Sequence, residues 1–160
     1  MKKFGLVVIG AHFGVWLNDE LTRFDKENIL LVEPVPYNYK KLKEKFIKSS
    51  NIHICTNAIF SENKISKFYY VNEKSILKLG KHWASGIGSF NKNHILDHRT
   101  KRFKIEDEDI DEIEIEFITF DVLIKKFEIK SIDKLQIDVE GAEFEILKSI
   151  DYKKTEINSI

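Results

Sequence analysis

The chain has 160 residues, with 26 Lys or Arg against 26 Asp or Glu, so its formal net charge is zero. That balance supplies no electrostatic attraction for nucleic acid or an anionic membrane surface, and neither is expected as a partner. Hydrophobic residues make up 42% and charged residues 32%, with no apolar run long enough to span a bilayer, which is the composition of one globular domain over residues 1–160.

The chain opens Met1-Lys2-Lys3, charged like a leader peptide, but the apolar stretch that follows breaks at Gly10, so a short buried strand explains it better. That strand, Leu6-Val7-Val8-Ile9, is apolar without alternation, as expected where both faces are covered. The same pattern returns at Ile29-Leu30-Leu31-Val32 and at Leu135-Gln136-Ile137-Asp138-Val139. Helical patterns lie between these runs. Over residues 36–48, Tyr39, Leu42 and Phe46 form one stripe behind Pro36, and the lysines around them read as a solvated face. A second helix is predicted from the N-cap Thr119 through Leu123, Ile124 and Phe127, and a third from Ala142 through Phe144, Leu147 and Ile150. Alternating strands and helices imply a mainly parallel sheet with right-handed crossovers, whose ligands bind beyond the carboxyl ends of the strands.

The middle, about residues 65–117, departs from that rhythm and reads as an insertion containing strands near Lys67 to Val71 and Glu112 to Phe117. The acidic run Glu106-Asp107-Glu108-Asp109 and Asp111-Glu112 within it could be a metal or partner site but is more often a solvated loop, and it is read as one. Cys55 is the single cysteine, which forbids an internal disulfide and makes the cytoplasm the natural compartment. The histidines and the acidic run show no ligand pair of recognisable spacing, so no metal is expected.

Gly10-Ala11-His12-Phe13-Gly14 follows the first strand directly, where small residues let backbone approach a ligand closely. Its spacing is not the G-x-G-x-x-G of dinucleotide enzymes, which weakens an NAD-dependent oxidoreductase as an alternative. Glu33 ends the second strand, where a carboxylate can accept both hydroxyl hydrogens of a ribose. Together the glycine loop and Glu33 favour a nucleoside ligand. Asp138, at the end of the last apolar run, is either a general base or a carboxylate that fixes its own loop.

Four stretches of this sequence resemble the FkbM-type methyltransferases: Val8 to Gly14, Leu31-Val32-Glu33-Pro34-Val35-Pro36, Asn57-Ala58-Ile59, and Gln136-Ile137-Asp138-Val139-Glu140-Gly141-Ala142-Glu143. The segment Trp83 to Phe90, followed by His94-Ile95-Leu96, resembles an insertion of one branch of that family. The resemblance implies a Rossmann-like sheet and S-adenosyl-L-methionine as cofactor. Gly10, Ala11, His12 and Gly14 would line its methionine part, Glu33 would hold its ribose, and Asn57 and Ala58 would flank its adenine. Asp138, Glu140 and Gly141 would face the reacting centre, with Asp138, Glu140 and His82 as catalytic candidates and His94 and His98 behind them as bases. Ser85, Gly86 and Ser89 would shape the pocket of a small hydroxylated, carbohydrate-like acceptor. The apolar Val8 and Ile9 stand where many methyltransferases carry an acidic residue.

The family also continues past the point reached at Glu156-Ile157-Asn158-Ser159-Ile160, where a fifth core strand begins. The domain is therefore expected to be C-terminally incomplete, with an exposed sheet edge that invites self-association. Such a truncation is expected to put activity at risk while sparing cofactor binding, and a non-catalytic binding module stands as a further alternative.

Overall fold

The computed structural model describes residues 1–80, 82–98 and 104–160, and of residues 82 and 83 only the backbone. Two sheets organise the described residues. The larger has five parallel strands, β1 (Lys2–Ile9), β2 (Asn28–Val32), β3 (Ile52–Cys55), β8 (Ile129–Ile137) and β9 (Glu156–Ile157), in the order β3-β2-β1-β8-β9. The smaller has β4 (Ala58–Ile59), β5 (Lys64–Val71), β6 (Gly88–Ser89) and β7 (Ile110–Ile118), in the order β4-β7-β5-β6.

The continuous apolarity of β1 has the expected cause. Phe4, Val7 and Ile9 join a core with α5 (Phe120–Lys126) and α6 (Glu143–Ser149), whereas Leu6 and Val8 join one with α1 (Asn18–Arg23) and α2 (Pro36–Lys45). Helices thus cover both faces, as a parallel sheet requires. Pro36 starts α2 as expected, but the helix ends at Lys45, short of residue 48. Thr119 caps α5, its hydroxyl accepting from the Val122 N–H.

The strands expected in the middle segment are β5 and β7, an antiparallel pair in register from Lys64 with Phe117 to Val71 with Ile110. They form a second layer with its own core of Val35, Ala58, Phe68, Tyr70 and Phe117. Two short helices follow β5: α3 (Glu73–Leu79), capped by Asn72, and α4 (Lys92–Leu96), capped by Asn91. The acidic run is not wholly solvated. Asp109 is buried, accepting from the Ser75 hydroxyl, the Glu106 N–H and Lys78. Burial pushes its pKa up, but those partners outweigh burial and hold it below 3.8. The run therefore ties α3 to the start of β7.

The sheet order reverses direction between β1 and β8. Strands 2 and 3 lie to one side of β1 and the later core strands to the other, and such a switch point leaves a crevice at the strands' carboxyl ends.

Candidate active site

The loops after β1, β2 and β8 meet at that crevice. Gly10 N–H and Ala11 N–H both donate to the Val32 carbonyl, at 3.0 and 2.9 Å, and Asp138 N–H donates to the Ile9 carbonyl at 2.9 Å. Gly10 has φ +89°, and a Cβ there would stand 1.8 Å from the Asp138 carbonyl oxygen. Its need for glycine therefore comes first from the neighbouring strand, not from a ligand.

Gly10, Glu33 and Asp138 line the same hollow. One lobe, narrow and open to solvent, is walled by Val35, Ala58, Phe60, Phe68, Phe90 and Phe117. The Phe60 ring centre stands 4.9 Å from that of Phe90, tilted by 56°, and 6.2 Å from that of Phe117, nearly edge-on at 81°, giving an aromatic wall in the lobe that Glu33 also lines. The second lobe adds Ala11, His12, Trp16, Leu17, Gln136 and Glu140.

Glu33 is 4% exposed. Its Oε2 accepts from His12 N–H at 2.7 Å and its Oε1 from Val35 N–H at 2.9 Å, so the carboxylate clamps the first loop onto the turn after β2. Burial pushes its pKa up to about 7, against the opposing pull of these two N–H donors and Asn38. Beyond these partners the carboxylate retains acceptor capacity for a ligand hydroxyl. His12, at φ +53°, faces Ser85 Oγ with its Nε2. Ser85 in turn accepts from Asn38 Nδ2 through its carbonyl at 2.7 Å, which anchors the short 3₁₀ turn His82–Gly86 on α2.

The remaining site residues divide. Ala58, Gly86 and Ser89 line the aromatic lobe. Asn57 lines it too, but its amide is committed to Glu116, to the Glu116 carbonyl and to Lys126, so only its backbone remains to meet a ligand there. Gly14 faces α2: a Cβ there would meet Leu42, and its carbonyl accepts from Lys45 Nζ at 3.1 Å. Ser85 is turned towards His12 and α2 rather than into the aromatic lobe. Gly141 lies under the His94 ring. The His82 side chain lies outside the described residues. Asp138 is exposed and lines both lobes.

Two features are absent from the sequence reading. Glu143 braces the loop after β8, its two oxygens accepting from the N–H groups of Val139 and Gly141, each at 3.0 Å. Glu140 on that loop, at φ +53°, meets His94 of α4 and His98, which lies two residues past the helix end; their four-residue spacing brings the two rings together. That spacing was the available signal.

A doubly covered parallel sheet, with a glycine loop, a strand-end glutamate and a strand-end aspartate around one crevice, defines a Rossmann-like fold of the methyltransferase kind. A family model of the methyltransferase FkbM domain matches residues 9–160, and the chain belongs to that family. No curated protein and no solved structure matches the chain. Among the described residues no helix is long and apolar enough to cross a membrane.

Proposed function

We propose that the protein binds S-adenosyl-L-methionine in this crevice and methylates a hydroxyl of a small, carbohydrate-like acceptor. One observation carries the reading: Gly10, Glu33 and Asp138 line one hollow with an aromatic wall beside the buried carboxylate. The residues present suit the cofactor. Phe60, Phe90, Ala58 and the backbone at Asn57 offer an apolar slot for adenine, Glu33 offers charged acceptors for the ribose hydroxyls, and Gly10, Ala11 and His12 form the floor of the second lobe.

Bound there, the cofactor supplies a sulfonium methyl already activated for displacement. The protein's own task is then alignment and exclusion of water. The Glu33 clamp on His12 and Val35 holds the first loop in place before any ligand arrives. Gly86, which lines both lobes, borders the acceptor side, Ser89 lines the aromatic lobe, and the exposed carboxylate of Asp138 would take the proton of an acceptor hydroxyl.

Calorimetry with S-adenosylhomocysteine tests the reading. Binding of one molecule per chain, with no heat from NAD, is expected; binding of NAD alone would replace the reading with a dehydrogenase. Asp138→Asn is expected to lower turnover far more than cofactor affinity, and an equal loss in both would make the residue structural.

A further inference from the structure

His94, His98 and Glu140 converge on one point. Their ligand atoms all lie within 4.8 Å of one another; the Glu140 Oε2 stands 3.3 Å from His98 Nε2 and 3.7 Å from His94 Nε2. Donors held at about 2.1 Å from a tetrahedral ion are about 3.4 Å apart, so this carboxylate–imidazole spacing already suits an ion between them.

Proton placement sharpens the point. His98 Nδ1 lies 2.9 Å from the His94 carbonyl oxygen, which can only accept. A neutral His98 therefore carries its hydrogen on Nδ1 and turns the lone pair of Nε2 towards Glu140. A backbone carbonyl holding the far ring nitrogen is the usual support of a metal-bound histidine. Among the described residues none makes a hydrogen bond to the buried His94 Nε2. A lone pair facing a carboxylate repels it, so positive charge between them, such as a bound cation, would stabilise the cluster.

The backbone is shaped to the cluster. Glu140 sits in the left-handed region, and Gly141, at φ +102°, leaves room for His94, whose ring a Cβ would meet at 3.3 Å. We propose that His94, His98 and Glu140 bind a divalent transition-metal ion, with Zn²⁺ as the best fit to two imidazoles and one carboxylate. Three protein donors leave a fourth position for an oxygen ligand. Glu140 also lines the second lobe, which puts the ion at the rim of the crevice. That the fourth ligand is a hydroxyl of the acceptor rests on the methyltransferase reading; the metal site does not.

The test uses untagged, chelator-stripped protein titrated with Zn²⁺ above the histidine pKa range, in parallel with His98→Ala and Glu140→Gln. One ion per wild-type chain is expected, with affinity falling about tenfold or more in each variant. Circular dichroism confirms that each variant is folded. Wild type alone gives an independent reading: Co²⁺ should produce visible d–d bands without a thiolate charge-transfer band. No Zn²⁺ uptake, uptake unchanged in the folded variants, or a thiolate band assigning the ion to Cys55 would each overturn the proposal. So would proton NMR showing both histidines cationic in protein that takes up no Zn²⁺. Binding of S-adenosylhomocysteine to the metal-free sample is measured separately, so failure of the cofactor reading is distinguished from failure of the metal site.

Discussion

Glu33 offers the sharpest prediction, because burial raises its pKa from 4.5 to about 7. A carboxyl with a raised folded-state pKa binds its proton more tightly in the native chain than in the unfolded one. Its contribution is fully present below pH 4.5 and is lost as pH rises through about 7. That difference corresponds to about 3 kcal/mol across the interval, or a fall in Tm of roughly 6 to 12 °C for a chain of this size. Glu33→Gln removes the titration but leaves one of the His12 and Val35 N–H groups without its acceptor, costing about 1 to 3 kcal/mol at every pH. The variant should therefore be less stable than wild type near pH 5 and equal or better near pH 8. Urea unfolding of both chains across that range is the assay. His53, whose pKa is lowered by burial, and Asp109, Asp133 and Asp151, held below 3.8, are common to both chains and cancel in the difference. Parallel stability curves would refute the argument.

The same ionisation predicts that S-adenosylhomocysteine affinity rises with pH through about 7 in wild type and stays flat in Glu33→Gln, since ribose hydroxyls favour the charged acceptor. Gly10→Ala should cost about 3 kcal/mol or more, because its Cβ would enter the Asp138 carbonyl, whereas Gly14→Ala, with Leu42 at 3.3 Å, should cost about half as much; denaturant midpoints compare them. Glu143→Ala should lose about 1 kcal/mol by removing the acceptor of two loop N–H groups, and hydrogen exchange should show the amides of Val139 and Gly141 newly unprotected.

Much of the fold could be read from local pattern. The unbroken apolar runs of β1 and β2 demand cover on both faces, and the alternation of Ile113, Ile115 and Phe117 marks β7, because side-chain period reports burial directly. Pro36 and Thr119 declare helix starts through their own backbone chemistry. The site was legible as to which loops take part, less so as to what each side chain does. Glu33 reads as a strand-end acid, yet one of its two clamping bonds, from His12, depends on how the first loop folds back. Gly10 reads as making room for a ligand, yet its constraint comes from Asp138, which joins it only through the pairing of β1 with β8. Asn57 reads as a ligand contact, yet Glu116 and Lys126 take its amide from the second sheet and from α5. His94 on α4 and His98 just past it show their four-residue spacing, but the carboxylate that completes the cluster arrives from the loop after β8. Long-range partners are what local periodicity cannot encode.

Gly10, Glu33 and Asp138 share one crevice, and a crystal structure with S-adenosylhomocysteine tests most directly whether the cofactor binds there. Ribose hydroxyls on the Glu33 carboxylate, adenine against Phe60 and Phe90, and the sulfur beside Gly10 and Asp138 are expected. A ligand bound elsewhere, or one that leaves Glu33 untouched, would contradict it.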